Sequence, residues 1–304
     1  MLPIRGVFDI MQYMENSKKN RNSITTRDIL NAHGINLLKS KGQNFLIDAN
    51  IPEKIVRLSG IDDTCGVLEV GPGIGALTIE LAKTAKNVVS VELDKRLIPI
   101  LDGVLACYEN VKIIQGDILK IDLNETINKY LSGTNNHICA NLPYNITTPA
   151  LTAFIDSGAF KSITIMIQKE FAQRICATPG TPQYGALTVY ANYHTEPQIL
   201  FDVPPECFTP RPKVTSSVVK LTVKQEKPVI NENEKTFFRI VRASFEQRRK
   251  TLVNSLYSSF SNTHDKDEIK KIIINCGFDE RIRGEALCVE DFVKILKQFV
   301  TICN

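Results

Sequence analysis

The sequence predicts an α/β fold with a mostly parallel sheet and an antiparallel end, followed by a small all-helical C-terminal domain. Three observations predict it. From Gly66 to Ile167 short apolar runs alternate with amphipathic stretches of helical length. A glycine-rich turn, Gly71-Pro72-Gly73-Ile74-Gly75, joins the first run to the first stretch. Beyond Glu226-Lys227-Pro228 the apolar residues change to helical spacing. Strands separated by such helices build βαβ units, whose strands run parallel.

In chain order, residues 1–24 read as a mobile extension, polar from Glu15 to Asn22, and Met1, Met11 and Met14 leave the start of translation open. Thr25 or Thr26 can cap a short helix to His33, with Gly34 as its stop. Lys39 to Asp48 is loop-like, and an amphipathic helix follows from about Pro52 to Ser59, with proline in its first turn. Val67–Val70, Val88–Val91, Val111–Ile114, His137–Ala140 and Ile163–Ile167 are strand-like. Between them, Leu77–Ala85, Leu97–Leu105, Leu123–Leu131 and Pro149–Asp156 are helical. Leu187–Tyr193 and Ser217–Val223 are read as two β segments, the antiparallel end of the sheet. Phe237, Val241, Phe245, Leu252, Leu256 and Phe260 predict one long helix, or two in line, over 234–260. Helices at Ile269–Cys276 and Val289–Val300 complete a domain whose aromatic stripe is core. The domains are therefore drawn at 25–226 and 227–304.

At 304 residues and 43% hydrophobic content the chain can build two proper cores. Its net charge of +4 is unevenly placed, about −1 over residues 1–204 and about +5 over 205–304. The basic excess points to a polyanion partner for the C-terminal third, or to a solvated helical surface. Eight scattered cysteines without a Cys-x-x-Cys pair, and four histidines apart from them, give neither metal-ligand spacing nor a secreted disulfide pattern. No metal is expected. With no membrane-length apolar run and no signal-peptide layout, the expectation is a cytoplasmic protein.

Four features fall at the ends of four strands. Gly71 and Gly73 allow a sharp turn and close approach of a ligand to the main chain. Glu92 follows the second strand, where a carboxylate can hold both hydroxyls of an adenosine ribose. Asp117 follows the third, where it can accept an adenine amino hydrogen. Asn141-Leu142-Pro143-Tyr144 closes the fourth, and its amide, stiffened carbonyls and ring suit a base bearing an exocyclic amino group. A dinucleotide would fit Gly71-x-Gly73-x-x-Ala76 loosely. Glu69, however, would repel a pyrophosphate and suits a cationic ligand such as S-adenosylmethionine, and the loop holds no Lys or Arg.

Together these segments resemble the ribosomal RNA adenine N6-dimethyltransferase family. The likeness rests on Gln43-Asn44-Phe45-Leu46, Glu69 to Gly75, Val91-Glu92-Leu93-Asp94, Gln115-Gly116-Asp117 and Asn141 to Asn145. It continues through Phe208 to Val214, Arg242 to Leu252, Arg283-Gly284-Glu285 and Val289 to Phe292, covering roughly residues 25–300. It is nearest the bacterial branch that dimethylates two adjacent adenosines near the 3′ end of 16S rRNA in the 30S subunit. The resemblance implies a Rossmann-like class I methyltransferase sheet and a helical rRNA-recognition domain, acting as a monomer. It implies S-adenosylmethionine contacts at Asn44, Leu46, Gly71, Glu92, Asp117 and Asn141, with Gly73 in the same loop. Asn141 and Leu142 would polarise the amino group, Pro143 would fix their direction, and Tyr144 and Phe208 would stack on the base. Arg211, Lys213, Arg248, Arg249 and Lys250 are candidate phosphate contacts.

Alternatives remain at this stage. Large-subunit adenine methyltransferases share the signature, although Gln247 to Leu252 and Leu142 match the small-subunit branch better. A non-catalytic ribosome-assembly factor could keep the fold, but intact carboxylates and Asn141 argue for catalysis. A dinucleotide-dependent dehydrogenase leaves Asn-Leu-Pro-Tyr without a purpose.

Overall fold

A computed structural model of the chain describes residues 44–229 and 231–302. The extension at 1–24 and the helix expected to end at His33 lie outside these residues. In chain order the elements are β1 (Phe45–Leu46), α1 (Asn50–Ser59), β2 (Cys65–Val70), α2 (Ala76–Thr84), β3 (Asn87–Glu92), α3 (Ile98–Val104) and β4 (Val111–Gln115). Then come α4 (Leu123–Tyr130), β5 (Asn135–Asn141), α5 (Thr147–Asp156), β6 (Ser162–Gln168), α6 (Lys169–Ile175), α7 (Ala186–His194), β7 (Thr195–Val203), β8 (Phe208–Thr209) and β9 (Ser216–Val223). The chain ends in α8 (Asn231–Glu246), α9 (Leu252–Phe260), α10 (Lys266–Asn275) and α11 (Val289–Ile302).

The described residues divide into two compact units. The first comprises residues up to Ala172 with Gln198–Val223; the second comprises Gln173–Pro197 with the residues from Lys224. The sheet runs in the order β4-β3-β2-β5-β6-β9-β7. Pairs β2–β3, β3–β4, β2–β5 and β5–β6 are parallel, and β9 is antiparallel to β6. All of β2 is buried, as a strand covered on both faces must be, so its one acid, Glu69, lies inside the protein. Since β3 and β4 extend the sheet to one side of β2 while β5 and β6 extend it to the other, the strand order reverses between β2 and β5. In open α/β sheets such a switch opens a crevice at the carboxyl ends of the strands.

In the second unit the stretch over 234–260, expected as one long helix or two in line, is two helices, α8 and α9. Thr251 starts α9, its side chain accepting from the Asn254 N–H. A capping box starts α10, in which Asp265 accepts from the Glu268 N–H at 2.8 Å and Glu268 accepts from the Asp265 N–H at 2.8 Å.

The β segment expected at Leu187–Tyr193 is instead the helix α7. Its β-branched and aromatic residues carried a strand signal, but a short apolar run cannot separate strand from buried helix. Packing decides: Thr188, Val189, Ala191 and Tyr193 are buried, with the Tyr193 ring 4.8 Å from that of Phe237. The outer β segment lies just downstream, in β7. As a result Gln173–Pro197, which the sequence boundaries assign to the α/β domain, sits in the second unit.

Gly284 is held against α8. A Cβ there would lie 2.7 Å from both Cβ and the carbonyl oxygen of Ser244. Gly284→Ala is expected to cost about 1–3 kcal/mol by overpacking, read as a lower urea midpoint with the m-value retained.

Candidate active site

At the switch between β2 and β5 the first unit encloses a cavity of about 350 Å³. One wall is the loop after β2. Gly71 and Gly73 adopt φ of 66° and 62°, the left-handed region open to glycine. A side chain on Gly73 would also start 3.1 Å from the Phe45 ring. The Gly71 N–H donates to the Val91 carbonyl at 2.9 Å and the Gly73 N–H to Glu92 Oε2 at 3.3 Å, so the loop is tied to the end of β3.

Glu92 is 4% exposed, and its other oxygen accepts from the Asp94 N–H at 2.7 Å. Main-chain donors thus fix both carboxylate oxygens, each retaining a lone pair for a ligand hydroxyl. Burial outweighs these bonds and raises the Glu92 pKa above the ordinary carboxylate value. Asp117 lies past the end of β4, half-buried, with Oδ1 accepting from the Leu119 N–H at 3.1 Å.

Glu69 is buried more completely, at 1% exposure. Its Oε2 accepts from Thr78 Oγ1 at 2.7 Å and Ser90 Oγ at 2.6 Å. Burial nevertheless pushes its pKa up to about 7, with a smaller contribution from the charge of Glu92. Glu69, Glu92, Asp94 and Asp117 all line the cavity, and among the described residues that line it there is no Lys, Arg or His.

The adjoining wall is the turn after β5. Asn141 Nδ2 donates to the Asn44 carbonyl at 3.3 Å. Because that carbonyl can only accept, the amide is oriented with Oδ1 left as acceptor. The Leu142 N–H is held by the Met166 carbonyl at 3.2 Å, and the Pro143 carbonyl accepts from the Ile146 N–H at 3.1 Å. The Tyr144 hydroxyl and Ser216 Oγ are 2.8 Å apart, anchoring the far end of a half-buried ring to the start of β9.

The structure therefore gathers Asn44, Leu46, Gly71, Gly73, Glu92, Asp117, Asn141, Leu142, Pro143 and Tyr144 around one cavity. Phe208 is not among its lining residues. Its backbone pairs with Leu46, and its ring, 2% exposed, packs in the core cluster that holds Leu46, Val56 and Val218. In this conformation it supports the strand bearing Leu46 and presents no face to a ligand. Arg248 is also committed elsewhere: it donates to the carbonyls of Pro182 at 3.0 Å and Tyr184 at 3.3 Å, and pairs with Glu285 at 3.3 Å. Arg211, Lys213, Arg249 and Lys250 are exposed.

Sequence reasoning passed over Leu93, Leu119 and Ile118, which line the cavity beside the two carboxylates. Leu93 is 64% exposed and Leu119 41%, so apolar surface is left in water where a flat ring could cover it. The available signal was an apolar residue directly after each strand-end acid, or one further on.

Comparison with known proteins identifies the family. The family described as "Ribosomal RNA adenine dimethylase" matches residues 34–297. The chain is 47% identical over 273 residues to "Ribosomal RNA small subunit methyltransferase A" of Shouchella clausii, covering 89% of this chain and 92% of that protein. It is 45% identical over 272 residues to the protein of that name from Lachnoclostridium phytofermentans, covering 89% and 94%. Among solved structures it is similar to a dimethyladenosine transferase from Plasmodium falciparum, with TM-score 0.72, 27% identity, and coverage of 84% of this chain and 98% of that one. The chain belongs to the ribosomal RNA adenine dimethylase family.

Proposed function

We propose that the cavity holds S-adenosylmethionine and that the chain N6,N6-dimethylates two adjacent adenosines near the 3′ end of 16S rRNA in the 30S subunit or its precursor. The single observation that carries this reading is the Asn141 amide. The Asn44 carbonyl takes its N–H and leaves Oδ1 as an acceptor, on a residue that lines the acid-rich cavity together with the anchored Tyr144. The donor set fits the cofactor: Glu92 for the ribose hydroxyls, Asp117 for the adenine amino group, and Leu93 and Ile118 for the adenine faces. Bound there, the cofactor supplies an electrophilic methyl group on a sulfonium.

The adenine N6 lone pair is delocalised into the ring and nucleophilic only when localised. Asn141 Oδ1 and the Leu142 carbonyl accept the two N6 hydrogens, and Pro143 keeps them converging. Tyr144 stacks on the base after it leaves the helix, recovering part of the unstacking cost. Alignment and preorganised acceptors carry the rate, and no general base is required before transfer because N6 becomes acidic only as it gains the methyl. In this reading the chain works as a cytoplasmic monomer and its helical unit recognises rRNA. Arg249 and Lys250, with Arg211 and Lys213 on the first unit, meet phosphates.

Asn141→Ala is expected to abolish methyl transfer to unmethylated 30S particles, assayed with labelled cofactor and mapping of the modified nucleotides, with the fold intact. Tyr144→Ala should lose about 1–3 kcal/mol of transition-state stabilisation. Full turnover by the Asn141 variant would remove the amide from the mechanism. In calorimetry, Glu92→Ala should lose about 1.5–3 kcal/mol of cofactor affinity.

Neutralising Arg249 and Lys250 together should make the slope of log K against log salt for particle binding shallower, by up to about two phosphate contacts. Arg248→Gln should instead lower the unfolding midpoint, because it leaves the Pro182 and Tyr184 carbonyls without this donor. An unchanged slope in the double variant would place the RNA track elsewhere.

A further inference from the structure

We propose that Glu69 lets the cavity distinguish the positively charged methyl donor from the neutral thioether it becomes, favouring release of the product after transfer. The inference rests on reading the cavity as an S-adenosylmethionine site. Donor and product share the adenine, the ribose and the amino-acid tail, so contacts from Glu92 or Asp117 to those parts hold both alike. They differ by one methyl group and one charge. In transfer the S–CH3 bond breaks with its electron pair left on sulfur, a C–N bond forms at N6, and N6 releases a proton to solvent. The charge on sulfur thus goes from +1 to zero.

A group that reads this change must be charged, close and poorly screened. Glu69 lies inside the central strand at 1% exposure and still lines the cavity. Both of its hydroxyl donors, Thr78 from α2 and Ser90 from β3, bind the same oxygen, Oε2. The charged and titratable groups facing it are Glu92 from β3 and the Cys139 thiol from β5, and neither supplies a positive charge. With no base among the described lining residues, a cationic ligand is a fitting counter-charge for this well. Asp94 is already forked to Arg96 and Asp117 lies nearer solvent, so Glu69 is the acid most dependent on what fills the cavity.

The sign with pH follows. Burial places Glu69 near pH 7, so in acid it is protonated and blind to the charge on sulfur. Above that pH it is ionised, and a bound cation lowers its pKa further. Preference for donor over product should therefore rise as pH passes through about 7 and level off beyond. The sulfonium makes the donor's amino group more acidic than the product's, and that difference is common to wild type and a Glu69 variant, so the variant subtracts it.

The test is calorimetric binding of S-adenosylmethionine and S-adenosylhomocysteine to the full chain between about pH 5.5 and about pH 8.5, in wild type and Glu69→Gln. Gln keeps an oxygen for Thr78 and Ser90. Across the range the product-to-donor ratio of Kd should rise by about tenfold more in wild type than in the variant. A ratio independent of pH in wild type, with both ligands bound, overturns the inference and leaves the cofactor reading standing. The same pH-dependent rise in both proteins assigns it to another group and also overturns the inference. Failure of wild type to bind either ligand overturns both.

Thermal unfolding supplies the folding control. A carboxyl raised from 4.5 to about 7 stabilises the fold fully below about pH 4.5 and loses that contribution as pH rises through 7. The unfolding midpoint of wild type should therefore fall more than that of Glu69→Gln between those limits. Should Glu69→Gln fail to fold, Ser90→Ala replaces it: losing a bond that lowers the Glu69 pKa should move the midpoint of the rise to higher pH, and an unmoved midpoint overturns the inference.

Discussion

A parallel sheet sends the carboxyl end of every strand to one edge, and a chain that continues from β2 to β3 on one side and places β5 on the other cannot cover the gap between them. Everything the site uses hangs on that gap. The glycine loop, Glu92, Asp117 and Asn141 follow four strands in this part of the sheet and so arrive on one rim without long-range sequence signals to bring them together. The helices then only need to bury the faces of the sheet. Rigidity at the rim comes from main-chain bonds: Gly71 to Val91, Gly73 and Asp94 to the Glu92 carboxylate, and Leu142 to Met166.

A second constraint closes the rim. The two-residue strand β1 pairs with β8, matching Leu46 with Phe208, while Phe45 lies over Gly73 and the Asn44 carbonyl holds Asn141. One short segment therefore touches the glycine loop, the Asn141 amide, and the strand leading to Arg211 and Lys213. Its length gives it little stability of its own. It is held by the burial of Phe45, Leu46 and Phe208, and by the Ile47 N–H donating to Cys207.

Much of this was legible from the sequence, because the chemistry demands particular residues at particular strand ends. A backbone approached closely by a ligand needs glycine, which is why Gly71 and Gly73 stood out, and both do take left-handed φ. Acids at strand ends face water or a ligand, so Glu92 and Asp117 were visible as candidates. What was not legible depends on partners distant in sequence. Whether Leu187–Tyr193 is strand or helix is decided by Phe237, far downstream. Whether Phe208 faces a ligand or the core is decided by Leu46, and whether Arg248 faces phosphate or protein is decided by two carbonyls at Pro182 and Tyr184. Periodicity and residue type carry no information about such pairings. Leu93 was hidden for the opposite reason, since a single exposed leucine is ordinary on any surface.

The assignment of Gln173–Pro197 to the second unit has a consequence for biosynthesis. During synthesis the sheet has its last strand once Val223 has been added, and the first unit then contains every residue found around its cavity. The intervening segment lacks most of its packing at that moment, because Tyr184, Val189 and Tyr193 belong to a core whose remaining members, Val229 to Phe299, are not yet made. It waits as an excursion from a finished sheet, and holding its ends together costs little more for a long loop than for a short one. The unit that holds the cavity therefore has its described sequence complete first, and the core of the second unit is complete only when the C-terminal helices follow a helix made long before them.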